Sequence, residues 1–308
     1  MPSLKGIRKR IVSTKSTQKI TRAMKMVAGA KLTRAQQRIV AMRPYAVKTG
    51  EVLQSVARTM AATAESQDEP VHPLLAMRPE SNALYVVLTA DRGLCGALNT
   101  NVNKATERAW REKEAAGTSV SFITAGRKGR EYLARRGGKV SHDFVRIYDG
   151  LDLEKGKLIA GWIVPRFLKA QFDSVYLVFN EFKSAITQKV VIERLLPLAD
   201  NSNGADKAAA NAANAASAGN APSDFIYEPT QRALLERLVP MYVEISIYRA
   251  LLESQASFFG AQMTAMDAAT RNAKEMIAKL TLDYNRARQA GITKELMEIV
   301  GGAEALKE

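Results

Sequence analysis

The chain has 308 residues, of which 46% are hydrophobic and 6% aromatic, and its net charge is +14. This length allows one or two folded domains. The single cysteine, Cys95, excludes an internal disulfide, and no stretch approaches the roughly 18 consecutive apolar residues of a transmembrane helix. The N-terminal sequence MPSLKGIRKRIVSTK lacks the apolar region of a secretory signal, so we expect any membrane association to run through a partner.

Residues 1–58 predict one long helix, because apolar residues recur there at spacings of three and four. Pro44 predicts a kink or break near residues 42–43, and residues 13–19 form a polar gap. The predicted apolar stripe comprises Leu4, Ile7, Ile11, Ile20, Met24, Val27, Ala35, Ile39, Met42 and Ala46. The segment holds 14 Lys or Arg against one acid, Glu51. Such a basic surface is either a solvated face or a binding surface for nucleic acid, anionic lipid or an acidic protein.

Residues 59–200 predict an open, Rossmann-like α/β domain. Apolar runs at 83–89, 120–124, 174–182 and 188–197 predict buried strands, and residues 139–147 predict a weaker one. Helical patterns at 97–115, 127–136 and 154–172 alternate with these strands. Alternating strands and helices of this length favour a sheet covered by helices.

Residues 201–222 consist mainly of Ala, Asn, Ser and Gly, which predicts a flexible surface insertion. Residues 223–308 predict the C-terminal helices, a short one ahead of Pro240 and a long one from Met241 to Val300. The apolar stripe of the long helix comprises Leu252, Ala256, Phe259, Met263, Met266, Ala273, Ile277, Leu280, Tyr284 and Ala287. A single helix cannot bury such a stripe alone, so we predict an antiparallel coiled coil of the N- and C-terminal helices.

The loop at residues 89–96, after the first strand, is where a doubly wound fold would hold a phosphate. It matches neither glycine-rich phosphate motif, and a tight strand-to-helix turn is the favoured interpretation. Cys95 would need His72 or His142 as a base to act as a nucleophile, and a buried, inert thiol is the better prediction. Two isolated histidines and one cysteine offer no metal-ligand spacing. We therefore predict no catalytic residues, no metal and no cofactor.

Three segments resemble the gamma subunit family of bacterial F-type ATP synthases. They are LKGIRKRIVSTKSTQKITRAMKMVAGAKL at 4–32, LTADRGLCGALNTNV at 88–102 and NRARQAGITKELMEIVGGAEAL at 285–306. The resemblance implies a non-catalytic rotor subunit of the central stalk, which couples rotation of the c ring to conformational cycling of the catalytic sites in beta. The implied partners are the alpha and beta subunits, epsilon and the c ring, without nucleic acid. The implied location is peripheral, on the cytoplasmic face of the bacterial inner membrane.

The resemblance also implies contact residues, at positions that match the family's motifs. For the alpha/beta ring they are Arg22, Met24, Lys25, Lys31, Arg288, Gln289, Thr293 and Glu295, the first four facing an acidic helix–turn–helix of beta. For the c ring they are Tyr227 and Glu228.

Two alternatives stay open at this point. One is a basic coiled-coil nucleic-acid binder, although Tyr45 is the one aromatic residue of the basic segment. The other is a free-standing nucleotide-binding α/β enzyme that uses the loop at 89–96.

Overall fold

A computed structural model describes residues 4–63, 72–198 and 230–305. Its elements in chain order are α1 (Leu4–Thr63), β1 (Asn82–Leu88), α2 (Leu98–Ala115), β2 (Ser119–Ala125), α3 (Arg127–Arg135), β3 (Val140–Phe144), α4 (Leu153–Leu168), β4 (Ser174–Phe182), β5 (Gln188–Leu196) and α5 (Gln231–Ala305). The predicted insertion at 201–222 lies outside the described residues. Searched over those same ranges, the chain contains no helix apolar enough over a sufficient length to span a bilayer.

The two terminal helices are longer and less interrupted than the sequence predicts. Helix α1 continues through Pro44, and α5 continues through Pro240, where we expected a break and a junction between two helices. A proline inside a helix costs about 3 kcal/mol or more, chiefly through a lost backbone hydrogen bond and a steric clash. Met42, Leu238 and Tyr242, which flank the two prolines, pack against the hydrophobic core. This packing keeps both helices continuous.

The chain separates into two compact units. In the first unit, formed by the described parts of residues 1–30 and 262–308, α1 and α5 run antiparallel. Thr270 donates a hydrogen bond to Thr21 (Oγ1–Oγ1, 2.8 Å), and Lys25 forms an ion pair with Asp267 (Nζ–Oδ1, 2.5 Å). Gly29 lies against Met263: a Cβ atom placed on this glycine would be 3.5 Å from the Met263 sulfur. Positions on α5 thus fall as positions on α1 rise, which confirms the predicted antiparallel pairing.

The inner face of α1 differs in part from the predicted apolar stripe. Ile20 and Val27 are 57% and 55% exposed, whereas Thr21 and Ala28, one position later, are buried. The less exposed positions keep a spacing of three and four, at Ile7, Ile11, Thr14, Gln18, Thr21, Lys25 and Ala28. The inner face of α1 therefore continues at helical spacing across residues 13–19, the predicted polar gap. Polar side chains occupy part of this inner face.

The second unit, residues 31–261, contains the α/β domain. Its five strands lie in the order β3-β2-β1-β4-β5, and only β5, at one edge, is antiparallel to its neighbour. On one face, α2 and α3 cover the aromatic cluster around Tyr85, Trp110 and Phe122. On the other, α4 and the parts of α1 and α5 that belong to this unit enclose the larger apolar core. The open, Rossmann-like sheet is as predicted.

Within the second unit, α5 lies directly against the α/β domain. A Cβ atom on Gly156 of α4 would come within 2.8 Å of the Glu244 carbonyl oxygen on α5. The Ser257 hydroxyl donates a hydrogen bond to the carbonyl oxygen of Asn180 in β4 (3.0 Å). A Cβ atom on Gly260 would come within 3.3 Å of Ala185 in the β4–β5 turn. The small residues and the hydroxyl allow α5 to approach both a helix and the sheet, which fixes the domain onto the long helix.

Candidate partner-binding site

The first group of predicted contact residues lies on α1 in the first unit. Arg22 is exposed, and Met24 and Lys25 are half-buried. Lys25 is paired with Asp267, and its hydrogen bond is the largest cause that holds the pKa of the Asp267 carboxyl below its usual value. The Lys25 side chain still keeps 43% of its surface exposed. Because an ammonium group has three donors, this side chain can bind Asp267 and a further acceptor together.

The second group lies near the end of α5 in the same unit. Arg288, Gln289, Thr293 and Glu295 are all exposed. The Thr293 hydroxyl donates to the carbonyl oxygen of Gln289 (3.0 Å), so its donor is already used within the helix. At about 1.5 Å per residue, Arg288 lies about 27 Å along α5 from Thr270, the residue opposite the first group. The two groups thus form two separate surfaces at different heights along the paired helices.

The remaining predicted contact residues are placed differently. Lys31 belongs to the second unit, where its ammonium nitrogen lies 5.6 Å from the centre of the Phe259 ring. This is within the range of a cation–π interaction. Tyr227 and Glu228 lie outside the described residues, so their contact with the c ring stays a prediction.

Sequence reasoning missed the polar contacts between the helices in the first unit. Thr21 and Thr270 share a hydrogen bond, and Asp267 binds Lys25. The available signal was their position, since Asp267 and Thr270 fall between Met266 and Ala273 of the predicted stripe. Polar residues at such positions favour one register of a coiled coil over its alternatives.

Sequence reasoning also missed an apolar surface at the end of α5. Its large side chains are 54–72% exposed and comprise Ile292, Leu296, Met297, Ile299 and Val300. Ile292, Leu296 and Ile299 follow one another at spacings of four and three, so they share one helix face. Grouped exposed apolar side chains of this kind mark an interaction site in a soluble protein. The signal in the sequence is the pair of apolar dipeptides at 296–297 and 299–300, whose members fall on more than one helix face.

Side chains of the loop after β1 bind the backbone at the start of α3. The Asp91 carboxylate accepts the backbone N–H of Arg127 (3.0 Å), and the Thr89 hydroxyl oxygen accepts that of Gly129 (2.7 Å). A Cβ atom on Gly126, whose φ is 102°, would lie 2.0 Å from the Thr89 carbonyl oxygen. Anions are stabilised by the N–H groups at a helix N-terminus, and the chain's own carboxylate takes this role here.

The chemistry of Cys95 is that of a structural residue. Its side chain is buried, and burial is the main cause that raises the pKa of its thiol. The Asn99 amide donates a hydrogen bond to its sulfur (3.3 Å). The prediction of a buried thiol is confirmed, and its raised pKa makes the reactive thiolate scarce at neutral pH.

Each of the two histidines makes a contact within the chain, a hydrogen bond for His72 and ring stacking for His142. The Nδ1 atom of His72 accepts the backbone N–H of Leu74 (3.1 Å), and His142 stacks on Trp162 with ring centres 5.6 Å apart. Across the part of the chain that the structure describes, no group of three or more His, Cys, Asp or Glu side chains is arranged to hold a metal ion.

Comparison with known proteins identifies what this chain is similar to. The sequence profile of the ATP synthase family matches residues 3–306. The chain is 55% identical over 325 aligned positions to the ATP synthase gamma chain of Sorangium cellulosum (strain So ce56), and 47% identical over 307 positions to that of Geotalea uraniireducens (strain Rf4). Both alignments cover 100% of each chain.

Solved structures resemble the fold as well. The central stalk and c-ring structure of Tetrahymena thermophila mitochondrial ATP synthase contains a chain that is 26% identical, with a TM-score of 0.60, covering 81% of this chain and 99% of that one. A chain of the Euglena gracilis OSCP/F1/c-ring structure has a TM-score of 0.63 at 21% identity, and the alignment covers 98% of this chain and 94% of that one. At that identity, the second likeness concerns the fold alone.

Proposed function

This chain belongs to the ATP synthase gamma chain family and is a non-catalytic subunit of the central stalk, and from that premise we propose how its surfaces couple rotation to catalysis. The paired helices turn inside the ring of alternating alpha and beta subunits. The α/β domain rests on the c ring and contacts epsilon. Proton flow turns the c ring, and the turning helices drive each beta subunit through its nucleotide-binding states.

The observation that carries this proposal is the antiparallel pair of helices in the first unit. Two helices linked by packing and by the Lys25–Asp267 and Thr21–Thr270 contacts resist twisting better than one helix would. Close packing of α5 against α4 and β4 in the second unit supports transfer of torque between the α/β domain and that helix.

The charge of α1 supports a contact with an acidic partner. Residues 4–30 contain eight Lys or Arg and no acid, and among the described residues only Lys25 of this set forms an ion pair. Unpaired cations on one helix attract an acidic surface and give it a preferred orientation. We propose that Arg22, Met24 and Lys25 face the acidic helix–turn–helix of beta, together with Lys31 farther along α1.

The end of α5 supports a second contact with the ring. Arg288, Gln289, Thr293 and Glu295 supply exposed polar groups, and the apolar surface around residues 292–300 lies beside them. We propose that the catalytic subunits cover this end. Tyr227 and Glu228 would contact the c ring, and the complex would lie on the cytoplasmic face of the bacterial inner membrane.

The two alternatives have less support. A nucleotide-binding enzyme of this fold would need a glycine-rich phosphate motif in the loop after β1, and residues 89–96 match neither such motif. A nucleic-acid binder of single strands would need aromatic stacking platforms, and the basic segment has one aromatic residue, Tyr45. Neither alternative accounts for the apolar end of α5.

We test the proposed contact by adding a charge to it. Met24→Lys places another cation beside Arg22 and Lys25, so we expect ATP hydrolysis to continue while proton pumping per ATP falls at least severalfold. The control is Met26→Lys, which adds the same charge to an exposed methionine two residues later on the same helix. That position is rotated about 200° around a helix of about 3.6 residues per turn.

The measurement compares ATP hydrolysis with ATP-driven proton uptake in membrane vesicles that contain the assembled complex. Normal pumping in Met24→Lys would show that residue 24 does not face the charged contact. An equal loss in both variants would point to the total charge of the helix instead. Failure of the chain to co-purify with the ATPase ring and the c ring would contradict the assembly itself.

A further inference from the structure

A basic cavity lies in the second unit, away from the surfaces described above except for Lys31. Its volume is about 270 Å³. It is lined from α1 by three cations and one small residue, Lys31, Arg34, Ala35 and Arg38, and from α5 by Gln255 and Phe259. The remaining wall is the loop at residues 148–151. Since a water molecule takes about 30 Å³ in the liquid, the cavity has room for a small anion together with several waters.

The wall formed by the loop is fixed by three hydrogen bonds. The Tyr148 and Ser254 hydroxyls lie 3.2 Å apart, and the Gln255 amide donates to the Tyr148 carbonyl oxygen at 3.2 Å. The Arg38 guanidinium donates to the Leu151 carbonyl oxygen at 3.3 Å. The loop is thereby tied to α5 and to α1 together. The cavity is consequently part of the folded unit and is not a gap beside a loose loop.

The charges in this cavity are unbalanced. Arg34 and Arg38 are one helical turn apart, and Lys31 lies three residues before Arg34, so the three cations share one face of α1. The single carboxylate in the lining is Asp149. Among the described residues, none of these three cations forms an ion pair, unlike Lys25, Lys113 or Arg249 elsewhere in the chain.

We propose that this cavity binds a phosphate oxyanion. A phosphate group carries a charge of about −1.5 to −2 and three strong acceptor oxygens, which matches three cations opposed by one carboxylate. Guanidinium groups bind such oxygens in a forked, two-bond geometry, and the lysine adds a point charge. The source is either free inorganic phosphate or the terminal phosphate of a nucleotide. The proposal goes beyond the rotor function and does not require Lys31 to contact the ring.

The test is calorimetric titration of the purified full-length chain with inorganic phosphate, ADP and ATP, in a chloride buffer at constant ionic strength. We expect one site, and we expect Arg34→Gln to weaken it at least about tenfold, since a charge-assisted hydrogen bond is lost. The control is Arg43→Gln, which removes the same charge from an exposed position of α1 outside the cavity, and it should change affinity less than about twofold. Unchanged circular dichroism confirms that both variants are folded.

The arms of the experiment separate the sources and the competing explanation. Tighter binding of inorganic phosphate than of ATP assigns free phosphate, and the reverse assigns a nucleotide. Absence of binding of all three ligands, inorganic phosphate, ADP and ATP, overturns the proposal, and so does an equal loss of affinity in both variants. A glutamate-rich peptide that binds in place of phosphate and is lost in Arg34→Gln would show an acidic-protein surface, which also overturns it. Because no other subunit is present, failure here leaves the Met24 coupling test unaffected.

Discussion

The contact between α4 and α5 yields a sharp prediction, because one glycine determines how closely the two helices approach. In Gly156→Ala, the new Cβ atom would lie 2.8 Å from the Glu244 carbonyl oxygen and 3.0 Å from the Tyr248 Cβ. Ordinary van der Waals contacts of a Cβ atom lie at 3.4–4 Å, so α4 must move away from α5 by several tenths of an ångström. Neither neighbour is the flexible end of a side chain. The strain is therefore not relieved by a rotamer change.

The change in the free energy of unfolding of Gly156→Ala is the sum of two opposing effects. Overpacking of a close contact costs about 1–3 kcal/mol. Replacement of a helical glycine by alanine contributes about 1 kcal/mol of stability through helix propensity. Gly161, on the same helix, has open space where a Cβ atom would be placed. Gly161→Ala should keep only the favourable effect, so the free energies of unfolding of the two variants should differ by about 1–3 kcal/mol.

The assay is urea unfolding of the full-length chain, followed by the fluorescence of the tryptophans of the α/β domain. We expect the midpoint of Gly156→Ala to fall below that of the parent chain and the midpoint of Gly161→Ala to rise above it. Equal midpoints in the two variants would refute the close approach of α4 and α5. If this contact also transfers torque, the assembled complex with Gly156→Ala should pump fewer protons per ATP than the complex with Gly161→Ala.

Two further predictions concern the α/β domain. Burial alone would raise the pKa of Glu80, but hydrogen bonds from Lys113, Ser174 and Tyr176 outweigh it and lower that pKa. The stabilisation is therefore present above the unfolded pKa of about 4.3 and is lost as pH falls through the lower folded value. Glu80→Gln should cost about 1.5–3 kcal/mol at pH 7 by urea unfolding, and the cost should shrink progressively as pH falls below about 4.3; a pH-independent difference would contradict this. The buried Cys95 thiol, whose pKa is raised, should react slowly with a maleimide in the native chain and rapidly in urea; fast native labelling would show it to be accessible.

Much of the architecture could be predicted because it depends on local periodicity. The apolar run at residues 174–182 predicts a buried strand, and β4 spans those same residues. The two stripes at helical spacing predict paired long helices, and both helices form. Such patterns are readable because each side chain's direction depends only on its position within a helix or strand.

Other features depend on partners that are distant in the sequence. Pro44 predicts an interruption that packing against the core removes, and Ile20 predicts an inner position that Thr21 takes. Lys25 reads as a free cation in the sequence, yet Asp267, 242 residues away, binds it. The assignment of the candidate contact residues to particular partners rests on motif position alone. The structure shows which of these side chains are exposed, but exposure does not identify the partner that covers them.

The sequence by itself determined the class of the fold, the basic character of α1 and the resemblance that led to the gamma chain family, because composition, periodicity and motifs are local properties. Only the tertiary structure decided the register of α1 on α5, the use of Asp91 at the start of α3 and the loop and α5 residues that enclose a cavity beside three cations of α1. Each of these depends on which residues of remote segments meet. That is set by the packing of the whole chain, where a shift of one residue exchanges a buried side chain for an exposed one.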